Sequence, residues 1–177
     1  MTGNPLHNLI RILSQFFRAV WACHHADSTE LLRQAHADWT SQKKWFWPKY
    51  GRPADSTRLL ADPALAWCAQ RGFDDDESAS IVETAAECIT RLAMITNPCA
   101  MPHVYATKEE AAKVHERQGE LLLFADKAVL NLRRLAGRTG EAWVPDVEDS
   151  GNEKQSNVET APAQATAIDK REQCLAE

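Results

Sequence analysis

An all-α fold, an irregular bundle of about five helices with a disordered acidic C-terminal tail, follows from three observations on this 177-residue chain. Apolar residues recur at three- and four-residue steps through long runs. Only seven glycines are present, few for a fold built on tight turns. Residues that start and stop helices bracket the apolar runs.

The first helix begins where Asn4 can cap and Pro5 occupies the first helical position. Leu6, Leu9, Ile10, Leu13, Phe16, Phe17 and Val20 share one broad face. His7, Arg11, Ser14, Arg18 and His25 lie opposite. Asp27 or Ser28 opens a second helix over 29–40. The next stretch, SQKKWFWPKYGRP at 41–53, is expected to be irregular, because Pro48, Gly51 and Pro53 punctuate it. Asp55 or Ser56 opens a short helical stretch, TRLLA. Asp62 and Pro63 restart a helix, PALAWCAQ, that stops at Gly72. The acids at 74–77 suit the first turn of a helix over 78–96. Its one-sided stripe is Ile81, Val82, Ala85, Cys88, Ile89 and Leu92.

Residues 97–106 hold two prolines and read as a loop. Thr107 with Glu110 forms a capping box that opens the longest helix, to about Ala136, ended by Gly137. Val114, Leu121, Ala125, Ala128, Val129 and Leu132 make its main face. Leu123 and Leu130 fall roughly opposite and form a candidate partner surface. This long helix is expected to be the spine, with the first helix, 29–40 and 78–96 around it.

Composition divides the chain into a helical domain, 1–138, and an acidic tail, 139–177. Residues 1–72 carry nine Lys/Arg against five Asp/Glu, while 139–177 carry three against nine. The acidity therefore belongs to the tail, whose Gly, Ser, Asn, Glu, Thr, Pro and Ala content predicts disorder. Asp169 with Glu172 starts a further helix, KREQCLAE, too short to stand alone. It either docks elsewhere or opens the continuation of a longer protein.

The cysteines, Cys23, Cys68, Cys88, Cys99 and Cys174, are odd in number and lack C-x-x-C spacing. Reduced thiols and a cytoplasmic location are the expectation. No run of about 18 apolar residues occurs, so no membrane span is expected. The acid-free start of the chain, with Arg11 and Arg18, has the composition of a transit peptide, but a first core helix accounts for it equally well. No metal is expected. Cys23, His24 and His25, the pair Cys99 and His103, and the acids at 74–77 all lack metal-site spacing. His24 falls on the apolar face and reads as a hydrogen-bonded core histidine. No phosphate loop, nucleophile elbow or dinucleotide fingerprint is present, and no cofactor is expected.

Segment 41–53 is the candidate binding site, through Lys43, Lys44, Trp45, Trp47, Lys49, Tyr50 and Arg52. Cations beside rings are what a single-stranded nucleic acid is gripped by. The competing reading packs the rings into the core and leaves the lysine heads in water. A helix-turn-helix made of PALAWCAQRG and the following helix is disfavoured, because Asp74, Asp75, Asp76 and Glu77 would meet phosphates. For catalysis, Arg18 and His25 are the weak candidates. A histidine acid/base beside an arginine is a metal-free ribonuclease pair, against a solvated polar face as the plain alternative.

The sequence reading is thus a non-enzymatic helical interaction or regulatory module, with a protein as partner. A nucleic-acid-associated protein or the N-terminal part of a longer DNA-binding regulator is the alternative, and a small metal-independent ribonuclease the next. The sequence leaves the oligomeric state open.

Overall fold

The computed structural model describes residues 3–96, 98 and 107–144. They form five helices in chain order: α1 (Pro5–His25), α2 (Thr29–Tyr50), α3 (Pro53–Ala69), α4 (Asp76–Met94) and α5 (Lys108–Arg138). Among the described residues there is no strand. Among them, too, no helix is long and apolar enough to cross a membrane. The tail beyond Val144, with Asp169, Glu172, Cys174 and most of the 97–106 segment, lies outside the described residues.

Local chemistry starts four of the helices, three at residues the sequence names and the fourth at Asp75, one of the acids expected inside the first turn. The Asn4 side chain accepts from the Leu6 N–H, Ser28 from Leu31, Asp75 from Ser78 and Thr107 from Glu110. Each satisfies one of the donors that a helix start leaves open. Ser78 donates through both its N–H and its hydroxyl to Asp75, which holds that carboxyl below the usual carboxylate range.

Two expectations give way at prolines. Segment 41–53 is helical as far as Tyr50, because α2 runs straight through Pro48. The proline falls in the last turn, where it removes a single hydrogen bond, and Gly51 N–H closes the end on Trp47 O at 3.0 Å. Likewise TRLLA and PALAWCAQ are one helix, α3, with Pro63 inside it. The helix α5 also passes Gly137 and ends one residue later. There Glu141 N–H reaches back to Ala136 O, and Gly140 takes φ 84°, the left-handed turn that lets the chain reverse.

The spine is not α5. Both α1 and α4 pack on all four other helices, whereas α5 packs on α1 and α4. Ten of the 21 residues of α1 and nine of the 19 of α4 are buried, against nine of 31 in α5. Length misled here; the apolar circumference decides which helix is wrapped. Leu6, Leu9, Ile10, Ile12, Leu13 and Phe16 are almost wholly shielded, together with Phe46, Ile89, Leu92, Leu122, Leu132 and Leu135 from the surrounding helices. Between α3 and α4 a polar knot is satisfied internally. Ser56 and Thr57 hydroxyls meet Thr90 Oγ1 at 3.0 and 3.1 Å, and Thr90 donates to Ala86 O.

Cys23, Cys68 and Cys88 are buried and not in disulfides. Burial raises Cys68 and pushes Cys88 up to about 11, so both behave as small core residues.

Candidate functional site

The helical path of α2 sorts the residues of 41–53 by direction. Ala35, Trp39, Phe46 and Tyr50 are buried, at separations of four, seven and four residues. That is one helical face. Phe46 is fully enclosed and meets Phe16 edge-on at 5.3 Å. Trp47 is half-buried against the core and stands 5.0 Å from Phe46. The Tyr50 hydroxyl accepts from Asn8 Nδ2 at 3.3 Å. Three of the four rings therefore serve packing.

Trp45 is the exception, 38% exposed on the other side of the helix. Two cations face its ring: the Lys49 ammonium at 5.1 Å and the Arg11 guanidinium, from α1, at 6.0 Å. Lys49 also stands 5.4 Å from the Tyr50 ring. Arg11 is held in place by donating to Asn8 Oδ1 at 3.0 Å. Lys44 and Arg52 are exposed nearby in sequence, and Lys44 points about a quarter turn away around the helix. Asp38, two turns upstream on the Trp45 side, accepts from Gln34. Lys43 turns elsewhere. Its ammonium bonds Ile95 O at 3.3 Å over the Trp39 ring, and burial lowers its pKa. The seven candidates thus split. Trp45 and Lys49 lie together, Lys44 and Arg52 are exposed, and Lys43, Trp47 and Tyr50 are structural. Arg11 joins the site from a helix the sequence reading assigned to another role.

The catalytic candidates are differently placed. Arg18 is half-buried and His25 exposed, and they stand two turns apart on α1, about 10 Å along its axis. His25 donates from Nδ1 to Trp21 O and stacks on the Trp21 ring at 3.8 Å.

A histidine contact not foreseen joins α1 to α5. His24 lies parallel to His115 with ring centroids 3.7 Å apart and bonds the His115 carbonyl through Nε2 at 3.0 Å. A carbonyl only accepts, so Nε2 carries the proton. Gly119 faces this ring. A Cβ there would stand 3.6 Å from His24 Cε1 and Nε2, an ordinary contact, so the ring's place does not depend on glycine. His24 is hydrogen-bonded as its helical position suggested, but it is half-buried between α1 and α5 and not in the core.

Burial, and then the neighbouring His24 and His25, lower the His115 pKa below its ordinary value. The folded chain then binds fewer protons than the unfolded chain around pH 6, so stability rises with pH across that window. The expected result is a thermal midpoint that falls between about pH 7 and pH 5, with a shallower fall in His115→Gln. Equal slopes for the two proteins would show that His115 does not contribute.

Among the described residues no three His, Cys, Asp or Glu side chains stand together as a metal site. Cys99 and His103 lie outside the described residues. Leu123 and Leu130 project from the outer side of α5, 64% and 44% exposed. A shallow groove of about 470 Å³ lies between α4 and α5, lined by Arg91, Arg117, Glu120, Leu121 and Phe124. No family model, no curated protein and no solved structure matches this chain.

Proposed function

We propose that this chain is a non-enzymatic helical interaction module that takes an acidic segment of a partner protein on the face around Trp45. The observation that carries the reading is the exposed Trp45 ring between the Lys49 and Arg11 cations. Cation over ring supplies a flat apolar contact already surrounded by positive charge, which suits an acidic segment with an apolar or aromatic residue. A single-stranded nucleic acid is the weaker fit. Successive bases need successive rings, and Phe46 and Tyr50 are buried while Trp47 packs on the core.

The test is fluorescence anisotropy of a labelled glutamate-rich peptide containing one phenylalanine, and of a labelled single-stranded oligonucleotide, at about 50 and 200 mM salt. Peptide binding that weakens with salt, and about tenfold in Trp45→Ala and in Arg11→Ala, is the expected result. Tighter binding of the oligonucleotide would reassign the face to nucleic acid. Binding of neither probe at low salt would remove the proposal.

A further inference from the structure

We infer that the outer side of α5 pairs with the same helix of a second copy, antiparallel, about a two-fold axis beside Asp126 and Lys127. This surface is separate from the Trp45 face, and the inference does not depend on the function proposed for it.

The starting point is an open side. The inward stripe of α5, including Ala111, Leu122, Ala125, Val129, Leu132 and Ala136, is buried, and only α1 and α4 pack on the helix. Opposite that stripe stand Glu116, Glu120, Leu123, Lys127, Leu130 and Arg134, all exposed. Leu123 is 64% and Leu130 44% exposed. They sit seven residues apart, and so on one line along the helix.

Charge on this side is segregated along the axis. The acids Glu116 and Glu120 precede Leu123, and the bases Lys127 and Arg134 follow it. The helix dipole accounts for Glu109 and Glu110 in the first turn and Arg138 in the last. It acts only within the terminal turns, so it leaves the four interior charges unexplained. Pairing along the helix does not explain the bases either. Neither Lys127 nor Arg134 has an acid three or four residues away, the only spacing at which neighbours meet. Glu116 and Glu120 have bases, Lys113 and Arg117, three residues before them, which is the less favourable order.

Two copies laid antiparallel satisfy this pattern. Leu123 of one copy then lies against Leu130 of the other. Glu120 lies against Arg134. Each match occurs twice, as a two-fold interface requires. Lys127 comes beside its own counterpart at the axis, with Asp126 of the other copy at hand. A parallel pair would instead set acid against acid and base against base along the whole length. Charge therefore selects the antiparallel arrangement as well as the self-pairing.

Size sets the strength. In this register residues 116–138 of each helix overlap, about 34 Å, and a stripe about 10 Å wide on each copy buries about 700 Å² in total. That is well below the usual range of specific interfaces. The dimer is therefore weak and reversible, and added salt weakens it further.

Sedimentation equilibrium of the full chain over a concentration series tests this. The expected result is reversible monomer–dimer exchange. Leu123→Glu and Arg134→Glu should each weaken it at least about tenfold, with thermal melting at dilute concentration unchanged because both residues are exposed. The deciding variant combines Glu120→Lys with Arg134→Glu. In the antiparallel pair the two new charges again face each other, so association should recover towards the parent. A parent that stays monomeric at every concentration would overturn the inference. So would association that Leu123→Glu leaves intact, or a doubly swapped chain no better than the single Arg134→Glu.

Discussion

Phe46→Ala should destabilise the bundle by about 3–5 kcal/mol, the range for an aromatic deleted from a closed core. In a protein of this size that lowers the thermal midpoint by roughly 10–15 °C. Phe46 has no exposed surface. It touches Phe16 of α1 edge-on, with Trp47 and Tyr50 rings at 5.0 and 4.9 Å. Removing it leaves a void between α1 and α2 that neither can fill without moving. Trp45→Ala, one residue earlier, should cost only about 1 kcal/mol, because its ring lies on the surface between cations. The comparison is internal, since both changes delete a ring from the same turn. Chemical denaturation of the two variants measures it. Equal losses would mean that α2 does not bury the face described here, and a larger loss for Trp45 would invert its register.

The same pair of residues shows where the sequence was legible. Capping was readable because it is local: Asn4, Ser28 and Thr107 cap as their types and positions imply, while Asp75, placed with the acids of the first turn, is itself the cap. The apolar stripes of α1, α4 and α5 were readable because their period is uninterrupted. In α2 the spacing of Ala35, Trp39, Phe46 and Tyr50 was present, but Pro48 and Gly51 carried more weight than the period. A proline in the last turn of a helix costs little, and the packing of Phe46 and Tyr50 outweighs it. Pro63 repeats the lesson in the middle of α3. Its neighbour Leu59, four residues back, is 45% exposed, so the carbonyl left without an N–H partner lies on the side that faces water.

The site was less legible than the fold for a different reason. Arg11 and Trp45 are 34 positions apart in the sequence, and their meeting depends on how α1 and α2 cross. So does the stack of His24 on His115. Periodicity says which side of a helix is inward. It says nothing about which neighbouring helix stands over the edge of that side. The outward position of Leu123 and Leu130 needed only the period of one helix, and there the expectation and the structure agree.

A chain ending at Arg138 should be less stable than one ending at Val144 by about 2–3 kcal/mol, a fall of roughly 5–10 °C in thermal midpoint. Composition places a boundary at 139, where the tail's character begins. Contacts place it later, since the compact unit ends at Trp143. The Glu141 carboxylate accepts from Asn4 Nδ2 at 2.8 Å and from Arg71 at 3.1 Å, and its backbone carbonyl accepts from His7 Nε2 at 2.9 Å. Those bonds tie the end of α5 to the start of α1 and to the turn after α3. Trp143 packs against the core beneath the Arg133 guanidinium at 4.4 Å. Partial burial of an indole contributes about 1–2 kcal/mol, the cation over it about 0.5–1, and the exposed ion pair less than about 1. Trp143 therefore dominates, and Trp143→Ala in the longer chain should reproduce most of the loss while Glu141→Ala reproduces little. Identical melting of the two truncations would place the boundary at 139 after all and reduce residues 139–144 to tail. A loss carried by Glu141→Ala instead would mean that the polar clasp, rather than the indole, closes the bundle.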